Sequence, residues 1–228
     1  MSLLTIFLQT TVAVATTAKP VDQGLSVFDL VIKGGVIMIP ILLLSLLSVF
    51  LFVNRLLFIN KASKIDANLV NNVKDMLVKE DIKGALTYCD RIASPFAKIV
   101  HKGLSRLGSP IRDIESAIEN TARVEVYQME KNVNLLAAIA ALAPMFGFLG
   151  TVVGMIRAFY DISMSDNISI GIIASGIYVK MVTSASGLIV GVIAYIFYTY
   201  LNTKIERTVN KMEVTAIEFL DILYKPII

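Results

Sequence analysis

The sequence predicts an all-α membrane protein with three transmembrane helices, two of them extended into a long cytoplasmic helical bundle. Three observations predict it. The 228 residues are 56% hydrophobic and only 17% charged, with a mean hydropathy of +0.72; an ordinary soluble domain is about a quarter charged. The apolar excess is gathered into three windows, Val36 to Val53, Leu135 to Ile156 and Met181 to Leu201, each near the ~20 residues a helix needs to cross the hydrocarbon core. Outside the windows, apolar residues recur at helical spacing.

Residues 1–33 precede the first window. MSLLTIFLQTTVAVATTAKP has an apolar run and small residues at Ala13, Ala15 and Ala18, but no basic stretch ahead of the run, as a signal peptide would have. It reads as a retained segment on the periplasmic side. Residues 34–58 form the first span, with Pro40, Ser45 and Ser48 as its weakly polar breaks.

Residues 59–133 read as a cytoplasmic helical domain. Ile65, Leu69, Val73 and Met76 mark one apolar face, and Phe96, Ile99, Val100, Leu104 and Leu107 another. Ser109-Pro110 offers an N-cap followed by proline at the first helical position. Ile114, Ile118, Ala122, Val126, Met129 and Val133 then continue one stripe. No breaker stands between this stripe and Pro144, so the expectation is a single rod running into the second span, residues 134–160.

A periplasmic loop, residues 161–175, leads to the third span, residues 176–201. In the C-terminal helix, residues 202–228, Ile205, Val209, Met212, Ala216, Phe219 and Leu223 form a heptad-like seam. That seam can pack on the chain's own long helix, in a bundle between subunits, or in both. Orientation follows from charge, because short loops rich in Lys and Arg stay in the cytoplasm. Asn54 to Val133 holds thirteen Lys/Arg, Asp161 to Ser175 none, and the tail after Leu201 four. The N-terminus is therefore expected in the periplasm and the C-terminus in the cytoplasm. Tyr195, Tyr198 and Tyr200 mark the inner end of the third span as an interfacial belt.

The second span carries Gly147, Gly150, Thr151 and Gly154 on one face, with Pro144 near its start. The third carries Thr183, Ser184, Gly187, Gly191 and Ala194 on a matching face. Lipid tails are as apolar as leucine, so small residues, which let backbones approach closely, drive helices together in a membrane. Packing accounts for the glycines; the hydroxyls can bond within the bundle or line a wet path. None of the three windows holds Asp or Glu. A proton relay needs an ionisable group in the membrane, so a partner would have to bring the carboxylate. Arg157 and Lys180 lie toward the outer ends of their helices. There they can snorkel, attract a partner's acidic residue at the outer mouth or, for Arg157, meet Asp161 one turn on.

The chemistry of an enzyme has little to stand on. Cys89 is the single cysteine and His101 the single histidine. Neither sits in a metal-ligand spacing, and no nucleotide loop or nucleophile motif is present. No metal, cofactor or nucleic-acid partner is expected.

APMFGFLGTVVGMIRAF and MVTSASGLIVGVIAY resemble the second- and third-span signatures of the MotA/TolQ/ExbB proton-channel family. GGVIMIPILLLSLLSVFLFVNR and DIKGALTYCDRIASPFAKIVHKGL are similar to its first span and to part of its cytoplasmic region, so the likeness runs from about Gly34 to Asn202. Three spans favour the ExbB/TolQ branch. The resemblance implies a homo-oligomeric ring, a pentamer, in the inner membrane, around the single-span helices of an ExbD/TolR-type partner. That partner's membrane aspartate takes up and releases protons, and in the ExbB branch a TonB-type protein passes the work to outer-membrane transporters. It assigns the second-span threonine to Thr151 and the third-span threonine to Ser184, preceded by Thr183. Three positions depart from the family pattern: Val179, beside Lys180, where many members have glutamate; Ile193 for a proline; and Asn54-Arg55 for Glu-Arg. A TolQ-like envelope-maintenance subunit, a gliding-motor subunit and a passive scaffold are the alternatives. A self-sufficient transporter is disfavoured, since nothing in the spans can titrate.

Overall fold

The computed structural model describes residues 35–64, 66, 68–164 and 170–224. The N-terminal segment 1–33, Ile65 of the first cytoplasmic stripe and part of the loop 161–175 lie outside them, as does the side chain of Val179. Among the described residues seven helices follow in order: α1 (Met38–Ala62), α2 (Leu69–Val78), α3 (Ile82–Arg91), α4 (Pro95–Leu104), α5 (Ile111–Glu130), α6 (Val133–Ser163) and α7 (Ile170–Tyr224). No strand occurs among the described residues. Among the described residues three stretches are long and apolar enough to cross a membrane: Met38–Ala62, Ile111–Ser163 and Lys180–Tyr224. The 55 residues of α7 make a rod ~80 Å long at 1.5 Å per residue.

The short helices start where side chains satisfy their free amides. Asp81 accepts from the Gly84 N–H at 2.8 Å and opens α3. Ser94 accepts from the Ala97 N–H at 3.2 Å and opens α4, with Pro95 in the first turn. The start expected at Ser109-Pro110 differs in detail. α5 begins at Ile111, and Pro110 itself holds the cap position with extended backbone (φ −52, ψ 141) and no side-chain cap bond. Ser94-Pro95 is the pair that combines a hydroxyl cap with an N-terminal proline.

The expected unbroken rod through the second span is interrupted. Lys131 takes ψ 128 and Asn132 a left-handed φ of 64 between α5 and α6. Asparagine tolerates this conformation better than most residues. Pro144, by contrast, lies inside α6 without ending it. The apolar stripe still crosses the break, since Met129 and Val133 are both buried.

α7 is the spine, and α6, α1, α5, α4 and α2 all pack on it. Ile205, Met212 and Phe219 of the heptad seam are buried, so this seam packs on the chain's own helices. Phe219 lies over Gly103 of α4, where a side-chain carbon would collide with its ring and sit 3.0 Å from Ile118 Cδ1. Phe52 of α1 stacks on Phe197 of α7 with ring centroids 4.0 Å apart. At the lower end of α1, the Ser63 and Thr208 hydroxyls hydrogen-bond at 2.7 Å, and Lys204 donates to Asn60 Oδ1. Beside α4, Lys98 pairs at 2.8 Å with the buried Glu125 of α5. The apolar windows keep their outer faces open, with Leu43, Phe50, Phe148 and Ile189 all exposed, as lipid-facing side chains would be.

Candidate functional site

The site is the seam between α6 and α7. Ala143, Gly147, Gly150 and Gly154 are the buried face of α6 here, and Thr183, Gly187, Gly191 and Ala194 that of α7. The two helices meet backbone to backbone. A Cβ at Gly187 would lie 2.6 Å from the Ala143 carbonyl oxygen and 2.8 Å from Gly147 Cα. A Cβ at Gly147 would lie 3.1 Å from the Ser184 carbonyl oxygen. One at Gly191 would meet the Pro144 ring at 2.6 Å. The matching small faces read in the sequence are thus brought together, with Pro144 part of the contact.

The three hydroxyl residues are divided by this packing. Thr183 is enclosed, 1% exposed, and its methyl would stand 2.6 Å from a Cβ at Gly150. Thr151 is half-buried and donates to the Phe148 carbonyl at 2.6 Å, a bond back to its own helix. Ser184 is half-buried, with its backbone against Gly147. Thr151 and Ser184 therefore keep open surface beside the seam, while Thr183 acts from within it.

At the upper end of the seam, the Lys180 side chain crosses Gly154. Only a glycine leaves space for that path. Lys180 is half-buried and Arg157 is exposed. Away from the seam, Lys98 pairs with Glu125, Arg123 with Glu119 and, when the histidine is protonated, His101 with Asp90. No group of His, Cys, Asp and Glu side chains suited to a metal occurs among the described residues.

One contributor was not legible as a site residue. Ala143 has no polar atom in its side chain, yet its carbonyl meets Gly187; its place one turn before Gly147 is the signal. Outside the seam, Ser48 of α1, read only as a weakly polar break in the first span, is 2% exposed, and its hydroxyl has no hydrogen-bond partner among the described residues.

The fold and this seam define a class: a multi-pass helical membrane protein whose second and third spans are joined along small residues. The chain belongs to the MotA/TolQ/ExbB proton channel family, which matches residues 91–214. It is 27% identical over 190 residues to a putative biopolymer transport protein ExbB homolog of Methanothermobacter thermautotrophicus, covering 82% of this chain and 67% of that one. It is 29% identical over 210 residues to the putative biopolymer transport protein ExbB-like 1 of Synechocystis, covering 87% and 79%. It is 27% identical over 118 residues to the Tol-Pal system protein TolQ of Haemophilus influenzae, covering 49% and 52%.

Proposed function

We propose that this chain is the ring subunit of an inner-membrane motor of the ExbB type, driven by the proton-motive force. With an ExbD/TolR-type single-span partner and a TonB-type protein it energises TonB-dependent outer-membrane transport. The observation that carries this reading is the α6–α7 seam, which sets hydroxyls beside close-packed glycines in spans whose apolar windows hold no Asp or Glu. Such spans bring no carboxylate of their own, and a partner's membrane carboxylate completes them.

In this reading the rigid seam is one wall of the ring, and Thr151 and Ser184 face the partner's carboxylate. Thr183 holds the wall together from inside. Lys180 and Arg157 stand at the periplasmic mouth, where a charge would cost about 2.5–3.5 kcal/mol if it lay at the bilayer centre instead. There they attract the partner's acid. The N-terminus is periplasmic, residues 59–133 and the tail after residue 201 are cytoplasmic, and the ring is a homo-oligomer, a pentamer by resemblance to the family.

The test is Thr151→Val combined with Ser184→Ala. Energised uptake should fall while the amount of assembled ring stays level. Wild-type uptake in that double variant would favour a passive scaffold. A TolQ-like role, supported by the similarity to the Haemophilus influenzae protein, or a gliding role keeps the ring and partner and changes only what receives the work.

A further inference from the structure

A groove of about 640 Å³ runs between the lower end of α1, at Ser63, and the segment of α7 from Tyr195 to Lys211. Its two ends differ in chemistry. The upper end is Tyr195, Ile196 and Tyr200, all exposed, where the uncharged window of the third span stops at Leu201. The lower end is Lys204, Arg207 and Lys211, which at spacings of three and four share one face of α7.

No carboxylate lines this groove among the described residues. Glu206, the nearest acid in sequence, is exposed and accepts from Asn202 Nδ2 at 2.8 Å. Lys204 is held over the Tyr200 ring, 5.8 Å from its centroid, and donates to Asn60. Arg207 and Lys211 are exposed and take part in no ion pair among the described residues. Like charges one turn apart on a helix repel. An anion seated among the three would turn that repulsion into attraction, and a guanidinium with ammonium groups suits phosphate oxygens. The tyrosines place the site at the level of lipid headgroups, and above them Ile189, Val192 and Ile196 offer exposed apolar surface along α7.

We propose that this groove binds the phosphodiester headgroup of an anionic phospholipid, with Lys204, Arg207 and Lys211 as its cationic contacts and the acyl chains lying along α7. The ligand chemistry is a phosphate anion; the apolar continuation selects a lipid over free phosphate. The proposal rests on α7 crossing the membrane and not on the motor reading.

The experiment uses the full chain, purified in a mild detergent, with native mass spectrometry counting retained lipid. Dioleoyl phosphatidylglycerol and dioleoyl phosphatidylcholine are added in turn, and inorganic phosphate is added as a competitor. Wild type should retain phosphatidylglycerol in preference. Arg207→Gln with Lys211→Gln should weaken that retention about thirtyfold, at the usual contribution of each basic residue near an anionic surface. The charge-preserving pair Arg207→Lys with Lys211→Arg should keep most of it, and Lys74→Gln with Lys79→Gln, exposed cations on and beside α2, should change nothing. Equal retention of both lipids by wild type, or unchanged retention in the Gln pair, overturns the proposal. Displacement of the lipid by millimolar inorganic phosphate overturns the lipid assignment in favour of free phosphate. A shift in subunit number in the Gln pair without loss of lipid assigns the groove to a neighbouring copy instead.

Discussion

The ring of Pro144 lies against Gly191, such that a Cβ at Gly191 would sit 2.6 Å from its Cγ and 2.7 Å from its Cδ. Proline has no N–H to give the carbonyl four residues back, which here is that of Ala140. The same Cβ would stand 3.0 Å from that carbonyl oxygen. A helix with an internal proline and a helix with a bare glycine thus fit each other at close range.

Substitutions along the seam should therefore split by what the new atom meets. Gly187→Ala and Gly191→Ala push against backbone and a fixed ring, and each should cost about 1–3 kcal/mol. Gly154→Ala meets only the flexible Lys180 side chain and should stay within about 0.5 kcal/mol. Thermal unfolding of the detergent-solubilised protein checks this. Equal losses at Gly154 and Gly187 would mean that the backbone contact does not matter.

A second contact of this kind lies outside the apolar windows, where Phe219 covers Gly103. Gly103→Ala should destabilise by about 1–3 kcal/mol through overpacking. Adding Phe219→Leu should recover part of that loss, because the two residues touch. Strict additivity in the double-mutant cycle would show that the ring and the glycine are not coupled.

Cys89 in α3 is buried, and burial, with the Asp90 charge second, raises its thiol from the usual 9.0 to about 11. The folded chain holds the thiol protonated where the unfolded chain ionises it. Its contribution to stability is whole below pH ~9 and falls as the pH rises through the folded value near 11. Iodoacetamide at pH 8 should leave Cys89 unlabelled in the folded protein and label it promptly in denaturant. Equal rates would contradict the burial.

Much of this was legible in the sequence because membrane spans announce themselves by composition and their packing faces by small residues. Gly147, Gly150 and Gly154 pointed to α7, and Gly187 and Gly191 pointed back. The seam at Ile205, Met212 and Phe219 was legible by period, though period alone could not say which helices would cover it. The break at Asn132 was not legible: a left-handed asparagine leaves no mark in an apolar stripe that continues on both sides. The burial of Thr183, and the path of Lys180 over Gly154, depend on how α6 and α7 rotate against each other. Spacing fixes a face only to within a residue or so, and that is the difference between an enclosed hydroxyl and an open one.

The most direct measurement is native mass spectrometry of the purified chain, expressed with and without its candidate single-span, aspartate-bearing partner. A closed ring of several copies that retains partner chains is the expected result. A monomer or dimer that ignores the partner would contradict it, and would leave the glycines of α6 and α7 with packing as their only role.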